Sequence, residues 1–105
     1  MATENTADGL LLSERETQEG LLVAVCDADV LGETFENGDV SLTVTEEFYD
    51  GDPADPDAVA QSLARCSTAN LVGEDAVELA IEEGFVDPDN VMELAGTRHA
   101  QLLWM

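Results

Sequence analysis

The sequence predicts an α+β domain: a small, mainly antiparallel sheet with two consecutive helices packed on one face, in the order strands, helix, helix, strands. Three observations predict it. Apolar runs of strand length lie before residue 50 and after residue 90. Between them, residues 56 to 83 carry apolar side chains at helical spacing, punctuated by glycine. The 105 residues suffice for one hydrophobic core, and no shift in composition marks a linker or repeat.

The elements follow in order. Residues 1–8 are polar and are expected to fray, leaving 9–105 as the single domain. Leu10 to Ser13 and Gly20 to Cys26 read as a hairpin. The second run is almost continuously apolar, as in a central strand covered on both faces. Asp27 to Asp39 reads as a connection anchored by Leu31 and Phe35, with a turn signal at Asn37-Gly38. Val40 to Thr45 alternates, placing Val40, Leu42 and Val44 on one side. Phe48 and Tyr49 are expected to close one end of the core.

Asp55-Pro56 supplies an N-cap followed by a proline at the first helical position. The helix that follows carries Val59, Leu63, Cys66 and Asn70 at helical spacing and is expected to run to Gly73. A second helix carries Val77, Leu79, Ala80 and Ile81, with Glu74 and Asp75 at its positive end. Gly84 should stop it, and Phe85 should pack back as in a Schellman cap. Val91 to Leu94 and His99 to Trp104 read as a last hairpin around Gly96-Thr97.

Charge is the most specific feature. The chain has 24 Asp plus Glu and three basic residues, Arg15, Arg65 and Arg98, for a net charge of −21. Lysine is absent. At ordinary ionic strength such a domain repels itself. In molar salt the Debye length falls to roughly 3 Å and the repulsion is screened. Lysine's long alkyl stem adds apolar surface that strong salt drives together, so its loss fits the same solvent. The expectation is a protein of a salt-adapted cytoplasm. Acidity then reports the solvent more than the partner, although direct nucleic-acid binding is disfavoured with so few bases. RNA contact would fall to Arg65, Arg98 and stacking by Tyr49 or Trp104. No apolar run of membrane length and no signal peptide is present, and Cys26 and Cys66 have no CxxC spacing. Free buried thiols are the expectation, with a 26–66 disulfide as the alternative.

Candidate chemistry is sparse. His99 is the only histidine, and without a second ligand at metal spacing it predicts no metal site. On an alternating strand it shares a face with Gln101 and faces away from Arg98. Asn70 interrupts an apolar helical stripe, which suits a helix C-cap before Gly73 or a tie from the helix junction to a loop. No phosphate-binding glycine loop, GxSxG, HExxH or EF-hand pattern occurs, and no cofactor is expected.

Several stretches together carry a family resemblance: Leu31-Gly32-Glu33-Thr34-Phe35, Glu47-Phe48-Tyr49, Ala69 through Val77, Gly84-Phe85-Val86-Asp87-Pro88 and Gly96 through Gln101. From about residue 20 to the C-terminus the chain resembles the DUF424 proteins, an archaeal family of unknown function. The resemblance implies an archaeal, and with the charge a haloarchaeal, setting. It carries over no catalytic role.

The functional expectation is a non-catalytic accessory module. Asn70, Glu74, Arg98, His99 and Gln101 form its partner surface, toward a protein or ribonucleoprotein, with translation or RNA processing as the suggested setting. The alternative is a small hydrolase or transferase with His99 as general base.

Overall fold

The computed structural model describes residues 9–94 and 96–103. The expected frayed segment 1–8 and the stacking candidate Trp104 lie outside the described residues. Eight strands and three α-helices form a mixed α+β fold with a mostly antiparallel sheet: β1 Leu10–Thr17, β2 Gly20–Asp27, β3 Thr34–Asn37, β4 Val40–Thr43, α1 Glu46–Tyr49, β5 Asp52–Ala54, α2 Pro56–Arg65, β6 Thr68–Val72, α3 Glu74–Glu82, β7 Met92–Leu94 and β8 Thr97–Leu103. Short 3-10 turns occupy Ala28–Val30 and Pro88–Asn90.

The main sheet has the order β5-β1-β2-β6-β8-β7. Only β2 and β6 run parallel; the other pairs are antiparallel. β3 and β4 form a separate hairpin whose tip is Gly38-Asp39, one residue on from the expected Asn37-Gly38 pair, since Asn37 already pairs with Val40. The sheet separates two cores. On one side Val23, Val25, Ala69, Leu71, Ala100 and Leu102 meet Val59 and Leu63 of α2 and Ala76, Val77 and Ala80 of α3. On the other, Ala24, Cys26 and Val72 meet Val44, Tyr49, Phe35 and Leu42 from the small hairpin and α1.

The expected order of two consecutive helices is wrong. β6 intervenes between α2 and α3, so helices and strands alternate there. The helical stripe Val59, Leu63, Cys66 and Asn70 stops at Arg65, Cys66 takes an extended C-cap conformation, and Asn70 lies on a strand. The physical reason is that β6 is short: Thr68 and Asn70 alternate with buried Ala69 and Leu71, but over five residues that signal is weaker than the helical spacing that Cys66 and Asn70 continue from α2. Two further strands escaped the sequence. β3 lies within the stretch read as connection, and β5 contains Pro53, which an edge strand tolerates because no neighbour needs its missing N–H. Val40, expected inside, is 49% exposed near the hairpin tip.

The helix ends follow the local signals. Asp55 Oδ1 accepts the Ala58 N–H at 2.8 Å, with Pro56 at the first helical position. After α3, the Phe85 N–H reaches the Ala80 carbonyl at 2.9 Å and the Gly84 N–H reaches Ile81 at 3.1 Å, which is the Schellman pair. Gly84 supplies the positive φ of +83° it requires, and the Phe85 ring packs back on the helix-side core.

Candidate functional site

Three cross-strand rows organise the sheet face opposite α2 and α3. Arg15, Leu22, Thr68 and Leu103 form the first; Ser13, Ala24, Asn70 and Gln101 the second; Leu11, Cys26, Val72 and His99 the third. Residues paired across strands share a face, so these twelve lie on one side. The small hairpin and α1 cover the third row, in the cluster that contains Cys26 and Val72. The first two rows are more open except at Ala24, which is buried under the hairpin and α1: Gln101 and Arg15 are exposed and Asn70, Thr68 and Leu22 half-buried. Leu103 is 65% exposed.

None of the twelve positions is an Asp or Glu, in a chain with 24 of them. The strand carboxylates that flank these rows, Glu14 and Glu16 of β1, alternate to the helix side. Glu14 Oε2 there accepts the Ser62 hydroxyl at 2.5 Å and the Arg65 guanidinium at 2.8 Å.

Asn70, His99 and Gln101 come together on this face. Gln101 Nε2 donates to Asn70 Oδ1 at 2.8 Å. His99 Nδ1 lies 3.0 Å from the Leu71 carbonyl. A carbonyl only accepts, so Nδ1 carries the proton and Nε2 of the neutral ring keeps its lone pair. Asn70 therefore caps no helix; its amide is held by the neighbouring strand.

Glu74 and Arg98 lie on the other side. Arg98 points toward α3, where Nη2 bonds Glu78 Oε1 at 3.0 Å and the Glu74 carbonyl at 3.3 Å. Its Nε sits 3.2 Å from Glu74 Oε1, off the line of a good hydrogen bond, so that contact is chiefly charge attraction. The bond to Glu78 raises the Arg98 pKa further, so it stays cationic. The five candidates thus split across the sheet, because strand side chains alternate. Arg65 is likewise taken up by Glu14. Tyr49, offered as a stacking ring, is only 4% exposed, and burial pushes its hydroxyl up to about 12.

Arg15 is the base that shares the candidate face, and sequence reasoning missed it. Its guanidinium donates to the Glu47 carbonyl at 3.2 Å and stands 5.7 Å from the centre of the Phe48 ring. Leu22, Thr68 and Leu103 were missed as well. No local pattern marks them, because their common face follows from pairing among four distant strands.

A second polar feature joins β2 to α3. Asp27 is 6% exposed, and its carboxylate accepts the N–H groups of Asp75 at 3.1 Å and Ala76 at 2.9 Å. A carboxylate at the end of β2 thereby caps the first turn of α3 on the same side of the sheet. Burial raises its pKa, opposed by those two hydrogen bonds and reinforced by the nearby Asp75 and Asp29 carboxylates. Next to it, burial and the Asp27 charge push the Cys26 thiol up to about 12, which makes it unreactive. Cys26 and Cys66 are buried thiols in the two different cores, which removes the 26–66 disulfide.

Among the described residues, no group of three or more His, Cys, Asp or Glu side chains is placed to hold a metal ion. No described helix is long and apolar enough to cross a membrane. Two clefts, of about 480 and 500 Å³, lie around β5 and the ends of α2 and α3, where Asp52, Asp55, Glu78 and Glu82 line them. His99 lines neither of them.

Comparison with known proteins gives two findings. A family described as a protein of unknown function (DUF424) matches residues 14–105. A crystal structure of an uncharacterized conserved protein from Methanopyrus kandleri is similar, with a TM-score of 0.73 and 28% identity, covering 91% of this chain and 94% of that one. No curated protein matches the chain.

Proposed function

We propose, from the premise that this chain belongs to the DUF424 family of proteins of unknown function, that it is a non-catalytic binding module of a salt-adapted archaeal cytoplasm. Its docking surface is the open part of the sheet face around Asn70 and Gln101, with His99 at its covered margin. One observation carries this reading: the paired positions that stay exposed or half-buried on this face, Arg15, Leu22, Thr68, Leu103, Ser13, Asn70 and Gln101, include no carboxylate, in a chain of net charge −21. Exposed positions elsewhere are free to hold the acidic side chains that keep such a protein solvated. A face that excludes them is suited to contact rather than to solvent. The amide pair offers hydrogen bonds, and Leu22 and Leu103 offer apolar area.

The partner is a protein, alone or within a ribonucleoprotein of translation or RNA processing. Arg98 and Glu74 support α3 and are not part of the surface. Direct contact with nucleic acid would rest on Arg15 alone on this face, which is too little positive charge to hold phosphates.

The test is affinity purification of the tagged protein from a salt-adapted host, kept in molar KCl throughout. A partner recovered with the wild type, lost with Gln101→Glu and kept with Glu82→Gln on α3 supports the reading. Capture that ignores Gln101→Glu overturns it.

A second reading keeps His99 as a general base, favoured by the lone pair that the Leu71 bond leaves on Nε2. Turnover of a small acyl or phosphoryl substrate that disappears in His99→Gln would establish it.

A further inference from the structure

We propose that the cleft at the end of the open sheet face, beside the β1–β2 turn, seats an arginine side chain of the partner protein. The inference names the anchor of the surface described above and rests on that reading.

The cleft holds about 250 Å³ and continues the open face, because Leu22 and Thr68 of the first row line it. That volume is below the roughly 300–1,000 Å³ of small-molecule sites and suits a single long side chain. Its walls are fixed before any partner arrives. Thr17 Oγ1 donates to the Gly20 carbonyl at 2.8 Å and accepts the Glu19 N–H at 3.1 Å, which holds the turn. The Ser67 N–H reaches the Leu21 carbonyl at 2.8 Å and ties β2 to the residue before β6. A Cβ on Gly20 would collide with Ser67 Oγ, so glycine there lets the two segments close the end of the cleft.

The lining complements arginine part by part. Leu21 and Leu22 offer apolar wall to the methylene stem. Among the described residues the one carboxylate lining the cleft is the exposed Glu19, which meets the guanidinium with a charge-assisted bond. The Ser67 and Thr68 hydroxyls accept from the donors that remain. Molar salt screens a bare ion pair but strengthens the burial of the stem, so both parts are needed. Lysine fits less well, because its ammonium is more strongly hydrated. Arg15 does not fill the cleft itself: its guanidinium is held at the Glu47 carbonyl and beside the Phe48 ring. Exposed Glu33, Glu36, Glu46 and Glu47 on the flanking hairpin and α1 repel an acidic partner and admit a basic one. A face with two open rows offers less than the roughly 800 Å² per partner of a stable flat contact. Contacts of that kind depend on a side chain seated in a pocket, where arginine is enriched.

Amide NMR titration of the full chain in molar KCl tests this, with N-acetyl-arginine methylamide as the probe and its neutral citrulline analogue as the control. The expected result is saturable shifts at the Glu19, Gly20, Ser67 and Thr68 amides with a millimolar Kd, since one side chain carries only part of an interface. The citrulline analogue, and the arginine probe on Glu19→Gln, should each bind at least about threefold more weakly. Glu19 is exposed on a turn, so the fold should stand, with the unshifted amide spectrum as the check. Glu82→Gln on α3 should bind the probe like the wild type. Shifts that never saturate at these amides, or that ignore both the citrulline control and Glu19→Gln, overturn the proposal. Partner capture lost with Gln101→Glu but kept in full with Glu19→Gln overturns the anchor and leaves the docking face intact. Capture that ignores Gln101→Glu overturns the face and the anchor together.

Discussion

A Cβ atom on Gly73 would stand 2.4 Å from Cγ of Asp27. Glycine is thus required twice at that position, by contact and by a φ of +123°. The missing side chain lets the Asp27 carboxylate reach the N–H groups that open α3. Gly73→Ala should cost more than about 2 kcal/mol, combining backbone strain with a displaced cap. Urea unfolding in molar KCl measures it. Adding Asp27→Ala should cost much less in the Gly73→Ala background than alone, since the clash and the cap are one contact.

The pH dependence of that cap has a definite sign. Burial raises the Asp27 pKa above 3.8, so the native state holds its proton more tightly than the unfolded chain. Stability from this group is then present below about pH 3.8 and is lost as pH rises through the raised native value. Asp27→Asn mimics the protonated acid. It should match the wild type at the acid end of that window and gain on it as pH rises. A wild type that gains instead would show that the two N–H bonds outweigh burial.

Arg98 joins β8 to α3 through Glu74 and Glu78, whose side chains are more than half exposed. A double-mutant cycle on Arg98→Ala and Glu78→Ala should give a coupling of about 0.5 kcal/mol at low salt and less in molar KCl. Partner capture should survive Arg98→Ala, because this side chain faces away from the proposed docking surface.

His99 should be found protonated on Nδ1 in its neutral form, as nitrogen chemical shifts would report, because the Leu71 carbonyl accepts from that atom. His99→Ala should cost about 1 kcal/mol for the lost hydrogen bond. His99→Asn, whose amide nitrogen occupies a similar position, should recover part of it.

Cys26 and Cys66 should resist an aromatic disulfide reagent until the protein unfolds, since both are buried. Both should then react together, and the mass should show no disulfide in the native protein. Fast reaction of either thiol in the folded state would contradict the two-core arrangement.

Local signals in the sequence were read correctly wherever the physics is local. Asp55-Pro56 starts α2, Gly84 and Phe85 close α3, and a hairpin turns at Gly38-Asp39, within one residue of the Asn37-Gly38 signal. Each is decided by side chains within a few residues of the backbone they satisfy. β6 was not legible, because its alternation of Thr68 and Asn70 with Ala69 and Leu71 spans only five residues and Asn70 continues the helical spacing of Val59, Leu63 and Cys66 by coincidence. Asn70 was therefore singled out for a sound reason, a polar amide among apolar neighbours, and assigned to the wrong element.

The sequence by itself determined the acidic composition, the mixed class, the family it matches and the opposite facing of Arg98 and His99. Composition and the two-residue strand period fix these without knowledge of neighbours. Only the tertiary structure decided that Asn70 meets Gln101, that Arg15, Leu22, Thr68 and Leu103 form one row, and that Asp27 caps a helix 48 residues away. Those relations depend on which strands pair and in what register, and a shift of one residue would exchange the two faces. Pairing is settled by burying both cores at once, a property of the whole chain that no short segment encodes.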